Sequence, residues 1–261
     1  MIKKPKYYLT FITSLITLLI SVISLINRNI YTERINRITE YELLGQDLAT
    51  AIISMIFLYI ILYKEYSNVK IKIIWLGFLL YQFYVYAYFS FGGVSSVFYL
   101  IYLTITGLSL FLFFTVIADI LRNNQFPKPV ISYPRKSISI FLIFSIALVG
   151  TIEIIEIFSK TIINIENLNP FFAFYVLDLS IIFPLIIIAA ILNYKGSAIG
   201  YLLSGVALIK IVTILPGAVI FNDIFHRLFA GYFLDLPFDI IALIITLTGY
   251  FFTVLFMKRI N

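Results

Sequence analysis

The sequence predicts an all-α polytopic membrane protein, a bundle of about eight transmembrane helices. Three observations predict this fold class. Hydrophobic side chains make up 62% of the 261 residues, charged side chains make up only 12%, and the apolar residues are gathered into long continuous stretches. A soluble domain keeps about a quarter of its residues charged, and its surface could not hide this much apolar side chain. The bilayer is therefore expected to be the main solvent of the chain.

Eight apolar stretches have about the 20 residues that a helix needs to cross a hydrocarbon core. They cover residues 7–26, 44–63, 72–91, 97–121, 137–158, 171–193, 197–221 and 237–257. The strands of a membrane β-barrel would alternate in polarity over about ten residues. These stretches are continuous and longer, so each is predicted to be a helix.

The first stretch follows Lys3, Lys4 and Lys6, which is also the pattern of a signal peptide. It is longer than the apolar core of most signal peptides and no small-x-small cleavage site follows it. We interpret it as an uncleaved first helix, with a cleaved signal peptide as the alternative. Later in the chain, Asn169-Pro170 and Pro237 are typical of helix starts, before the sixth and eighth stretches.

The distribution of positive charge predicts the orientation, because cytoplasmic loops of membrane proteins are enriched in Lys and Arg. With the N-terminus inside, thirteen Lys and Arg residues lie on the cytoplasmic side, five lie outside, and Lys210 lies within a span. Only Glu65 and Asp119 are acidic on the cytoplasmic side. We therefore expect a multi-pass protein of the cell membrane with both termini in the cytoplasm.

The two halves of the chain, residues 1–126 and 127–261, are predicted to be four-helix repeats within one membrane domain. The pair Asp47-Leu48 precedes Lys64 by the same spacing at which Asp178-Leu179 precedes Lys195. Similar residues recur in the third and fourth helices of each half: Gly77-Phe78-Leu79-Leu80 and Gly200-Tyr201-Leu202-Leu203, then Thr104-Ile105-Thr106-Gly107 and Thr246-Leu247-Thr248-Gly249. An even number of helices makes the repeats parallel, as in one class of transporter folds.

Ionisable residues within the spans indicate a candidate site, because charge at bilayer depth is costly and usually faces the protein interior. Counted at 1.5 Å per residue, Asp47, Glu153 and Asp178 lie at a similar level in the outer half, with Lys210 slightly below. We predict a substrate or ion site formed by Lys210, Asp178, Glu153 and Asp47. The alternative for Lys210 and Asp178 is a salt bridge that only fixes helix packing.

Two prolines, Pro184 and Pro216, are predicted to break the sixth and seventh helices near this polar level. Broken helices at a polar level indicate a transporter binding site, although ordinary kinks are also tolerated in membrane helices. In the third helix, Tyr81, Tyr84 and Tyr88 are predicted to share a face, where they could line a cavity or pack in the core.

Several classes of function are excluded or disfavoured by what the sequence lacks. It has no cysteine and a single histidine, His226, so thiolate and histidine-rich metal sites are not expected. No P-loop, dinucleotide-binding, zinc-protease or hydrolase nucleophile motif occurs. We therefore expect no enzyme activity, no cofactor, no metal and no nucleic-acid partner.

The chain resembles a set of uncharacterised prokaryotic polytopic membrane proteins. The resemblance rests on Trp75-Leu76-Gly77 with the tyrosines that follow, on Asp178 and Pro184, and on Lys195 with Gly200-Tyr201-Leu202-Leu203. It covers most of residues 43–210. It implies a membrane fold of about eight helices and no particular activity.

From these observations we expect a small-solute or ion transporter or permease, or the membrane subunit of one, with a polar site in the outer half of the bundle. The partners expected are the lipid bilayer, a small solute or ion, and another membrane subunit or an ATPase subunit. The alternative is a non-catalytic membrane scaffold or sensor that binds a partner protein.

Overall fold

The computed structural model describes residues 5–27, 30–31, 37–64, 68–92, 94, 96–130, 132–159, 172–231 and 236–260. Within these residues the chain is helical, with no strand beyond two isolated bridges, Tyr31 to Ser96 and Pro129 to Ile260. The predicted all-α fold class is confirmed. Eight of the helices are long and apolar enough to cross a membrane, so the chain is a multi-pass integral membrane protein.

The helices are numbered in chain order. The first half contains α1 (Pro5–Ile26), α2 (Arg37–Tyr63), α3 (Val69–Phe91) and α4 (Tyr99–Arg122). The second half contains α5 (Arg135–Ile157), α6 (Phe172–Tyr194), α7 (Ala198–Leu215), α8 (Asn222–Ala230) and α9 (Leu236–Arg259). α8 is short and is joined to α7 through a π-helical turn, Pro216–Phe221.

The ends of the helices follow local chemistry. α3 begins after Asn68, whose side-chain oxygen accepts a hydrogen bond from the Lys70 amide at 2.8 Å, and this satisfies one of the free donors of the first turn. α9 begins one residue before the predicted Pro237. α2 begins at Arg37, before the predicted residue 44, because its polar first turns continue the helix beyond the apolar stretch. The predicted start at Asn169-Pro170 lies outside the described residues.

α3 is the most buried of the eight spanning helices: 94% of its apolar 18-residue stretch is buried inside the protein. It packs against α4 and against α7. The contact with α7 depends on Gly77, where an added Cβ would lie 2.3 Å from Ile209 Cγ2. Small residues let membrane helices approach closely, so Gly77 sets the separation of α3 and α7.

Among the described residues, the predicted halves meet mainly along three contacts. One is the contact of α3 with α7, the third helix of each half, the second is that of α2 with the π turn and α8, and the third is that of α3 with the beginning of α6. At the second contact an added Cβ on Gly45 would lie 2.6 Å from the backbone of Asn222. The halves are thus closely packed against each other, while their origin by duplication stays a prediction.

The ends of the helices predicted to face the cytoplasm are called the inner ends. There, Asp119 of α4 forms ion pairs with Lys6 of α1 at 2.8 Å and with Lys72 of α3 at 3.2 Å. Lys72 is only 4% exposed and also donates a hydrogen bond to Gln125. A buried ammonium needs such partners, so this cluster ties three helices of the first half together.

Candidate functional site

Two helices change their winding at the predicted polar level. α6 contains a π-helical turn, Asp178–Ile182, in which the Phe183 amide donates to the Asp178 carbonyl. Pro184 follows this turn, and Pro216 begins the second π turn, after α7. A proline cannot donate a backbone hydrogen bond and crowds the preceding turn, which accounts for the change of winding. π turns of this kind are frequent at functional sites.

The structure brings Lys210 of α7 and Asp178 of α6 together. Lys210 Nζ lies 3.6 Å from Asp178 Oδ1, and both residues are buried, at 5% and 7% exposure. Tyr84 of α3 completes the group: its hydroxyl donates to Asp178 Oδ2 at 2.6 Å, and Lys210 Nζ lies 4.1 Å from the centre of its ring. The lysine thus interacts with a carboxylate and with an aromatic face.

Glu153 of α5 lies beside this group, in hydrogen-bond contact with the Asp178 carboxyl group and in electrostatic interaction with Lys210. It is 9% exposed, and its Oε2 atom accepts no hydrogen bond from the described residues. The local balance is therefore two buried carboxyl groups against one ammonium. Unsatisfied carboxylate oxygens are costly at this depth, so Glu153 has unused capacity to accept a hydrogen bond.

These residues line a cavity of about 470 Å³ inside the bundle, a volume typical of small-molecule sites. Along α5 the lining runs from Ser145 to Glu156, a rise of about 16 Å. Below the level of Asp178, toward the inner ends, most of the wall is apolar. The apolar side chains there are Ile146, Val149, Phe183, Ile186, Ile211 and Ile245.

The upper part of the cavity, toward the outer ends of the helices, is acidic. Four further carboxyl groups line it: Glu42, Glu156, Asp223 and Asp239. Tyr175 donates a hydrogen bond to Glu156 Oε2 at 2.7 Å. Among the described lining residues Lys210 is the one basic side chain. A cavity lined mainly by one sign of charge concentrates solutes of the opposite sign.

No family model, curated protein or solved structure matches this chain. The chemistry of the cavity is therefore inferred from the residues that line it. They provide a charge pair, an acceptor at Glu153 and an apolar lower wall. The resemblance to prokaryotic polytopic membrane proteins stays a prediction.

Asp47, the fourth predicted site residue, lies apart from the cavity. It is 1% exposed, accepts a hydrogen bond from the Tyr31 hydroxyl and does not line the cavity described above. Burial, with the neighbouring Asp47, raises the pKa of the Tyr31 phenol. Asp47 is therefore not part of the Lys210 group, because its hydrogen-bond partner is Tyr31 and it does not line the cavity.

The three tyrosines predicted to share a face of α3 contact different helices. Tyr84 contacts Asp178, and the ring of Tyr88 stacks on Phe174 at a centroid distance of 3.7 Å. Tyr81 instead shares hydrogen bonds with Gln46 and Thr50 of α2. Of these three tyrosines, only Tyr84 lines the cavity.

Sequence reasoning missed several lining residues. Ser145 is one of many serines in apolar helices, and nothing in its neighbourhood distinguishes it. Glu42 and Asp223 belong to the acidic residues that the predicted orientation puts on the outer side, and the sequence indicates no role for them. The apolar residues of segment 222–236 predict a short helix lying in the membrane interface. The structure has a helix there, α8, but it packs on α2 and His226 is fully buried. The apolar residues of that segment were the signal, since they are equally typical of a helix packed inside the bundle.

Proposed function

We propose that this membrane protein is a small-solute transporter, or the membrane subunit of one, and that the solute binds in the cavity around Lys210 and Asp178. The observation that carries the proposal is the position of the cavity. It lies among α5, α6, α7, α8 and α9 of the second half, with Glu42 of α2 and Tyr84 of α3 reaching it from the first half. Transporter sites are typically found between packed halves, beside discontinuous helices.

The two π turns support the same proposal. Asp178 begins the first turn, and Leu215, which lines the cavity, directly precedes the second. Helix segments on either side of such turns can shift without losing the packing of their outer halves, which is the motion that alternating access requires. A scaffold needs neither the cavity nor the turns.

The orientation belongs to the proposal as well. The excess of Lys and Arg at the inner ends supports cytoplasmic termini in a cell membrane. In that orientation the acidic upper part of the cavity faces outward. An ATPase or a second membrane subunit is compatible with this arrangement, because the loops of the chain are too short to contain a nucleotide-binding domain.

A cysteine-accessibility experiment tests the proposal. The chain has no cysteine, so Ser145→Cys places a single thiol in the lower cavity. A membrane-impermeant thiol reagent is applied to sealed vesicles of right-side-out and inside-out orientation. In a transporter that alternates its access, this cavity thiol is expected to be modified from both sides.

The matched control is Ser109→Cys. Ser109 is equally buried, on α4, and does not line the cavity, so this thiol is expected to stay unmodified from both sides. Modification of the cavity thiol of Ser145→Cys from one side alone, or from neither, would contradict transport and favour the scaffold.

A further inference from the structure

Two carboxyl groups, those of Asp178 and Glu153, and one amino group, that of Lys210, meet at the level of the ion pair. Asp178 already accepts from Tyr84 and pairs with Lys210, whereas Glu153 Oε2 accepts no hydrogen bond from the described residues. A buried carboxyl oxygen in this state lacks a donor that would offset its desolvation. A ligand that supplies a positive charge and an N–H donor would satisfy it.

The wall below this level has a different character. It is apolar except for Ser145, which is 3% exposed and whose hydroxyl has no hydrogen-bond partner among the described residues. Ser145 lies eight residues before Glu153 on α5, a rise of about 12 Å. The lower cavity can therefore hold an apolar chain attached to a charged head.

We propose that the cavity binds an amphiphilic organic cation with N–H donors, with its charged head at Glu153 and its apolar part directed toward Ser145. This inference rests on the proposed function, for which it names the substrate class. Lys210 would repel such a cation from Asp178 and so direct it to Glu153.

Two other ligand classes agree less well with the lining. An anion would have to compete with Asp178 for Lys210 while facing Glu153 and the acidic upper cavity. A metal ion needs several convergent oxygen or nitrogen ligands, and the described residues contain no group of three His, Cys, Asp or Glu side chains placed to hold one.

The test uses n-hexylguanidinium as the probe, because a guanidinium group stays protonated at all working pH values. Purified Ser145→Cys protein in lipid nanodiscs is treated with a thiol reagent in the presence of the probe, and the rate at which the introduced thiol is modified is measured. Hexylguanidinium is expected to slow the modification in a saturable way. Hexanoate and hexanol have the same chain length and are expected to leave the rate unchanged.

Glu153→Gln removes the charge and is expected to weaken the protection by about tenfold or more, the usual cost of losing a charged hydrogen-bond partner. Glu153→Asp keeps the charge and should retain most of the protection, which also covers the case in which the glutamine variant does not fold. Glu40→Gln removes an outer carboxyl that does not line the cavity and is expected to leave protection unchanged.

Equal protection by hexanoate, or undiminished protection in Glu153→Gln, would overturn the proposal. The results that would contradict the transport proposal are different from those that would contradict the cation site. If hexylguanidinium protects the introduced thiol but the thiol is reached from one side alone, the cation site stands and transport does not. If the thiol is reached from both sides without protection by the cation, transport stands and the substrate class is wrong.

Discussion

The contact between Lys210 and Asp178 leads to a quantitative prediction. Their charged atoms are 3.6 Å apart, so at an effective dielectric constant of 20 their attraction is worth about 4.6 kcal/mol. Water in the cavity would lower this value. Lys210→Met alone leaves a buried carboxylate without its cation, and removing one partner of such a pair costs about 3–5 kcal/mol.

The double variant Lys210→Met/Asp178→Asn removes both charges together. It is expected to lose far less stability than the sum of the two single variants, with a coupling energy of about 2–4 kcal/mol, below the Coulomb value. The free energy of unfolding of the four proteins, measured in matched lipid or detergent conditions, gives this coupling. Coupling within about 0.5 kcal/mol of zero, the ordinary error of additivity, would refute the ion pair.

Two further predictions concern packing and the inner ends. Gly77→Ala is expected to destabilise the fold by about 1–3 kcal/mol through overpacking, because its Cβ would lie 2.5 Å from Ile209 Cβ. Gly107→Ala is the matched control: no atom lies within 4 Å of its added Cβ, so stability should stay equal or rise by about 0.5 kcal/mol. Equal losses in both would show that α3 and α7 do not cross at Gly77. Asp119→Asn is expected to cost about 1–3 kcal/mol, because Lys72 stays buried beside it. An unchanged midpoint temperature of thermal unfolding would contradict this cluster.

Much of the fold could be predicted from the sequence because the bilayer fixes the length and the polarity of a spanning helix. A helix must be apolar over about 20 residues to cross it, and all eight predicted stretches correspond to helices of that kind. Depth along a helix is also readable, since each residue adds 1.5 Å. For this reason Lys210 and Asp178 could be matched in level before their contact was seen.

Direction around the helix axis could not be predicted in the same way. Asp47 and Asp178 have equivalent predicted depths, yet Asp47 accepts a hydrogen bond from Tyr31 and Asp178 contacts Lys210 and Tyr84. Which way each side chain faces depends on how all the helices pack. In soluble proteins an apolar stripe indicates the buried face. Here both the lipid-facing and the buried faces are apolar, so this signal is nearly absent.

The cavity itself could not be predicted from the sequence, for a related reason. Its lower wall is formed by isoleucine, valine and phenylalanine side chains that resemble those facing lipid. Ser145 becomes informative only once its hydroxyl is seen to be buried and without a partner among the described residues. The two prolines were the better guide, since the winding of both helices changes beside them.

The charges embedded at the level of Lys210 meet inside the bundle, around a cavity that we expect lipid not to enter. An electron cryomicroscopy map of the protein in lipid nanodiscs, at a resolution that shows side chains, tests this arrangement most directly. We expect density linking Lys210 to Asp178 and no acyl chain in the space between Ser145 and Glu153. A Lys210 side chain among the lipids, or an acyl chain filling that space, would contradict the account.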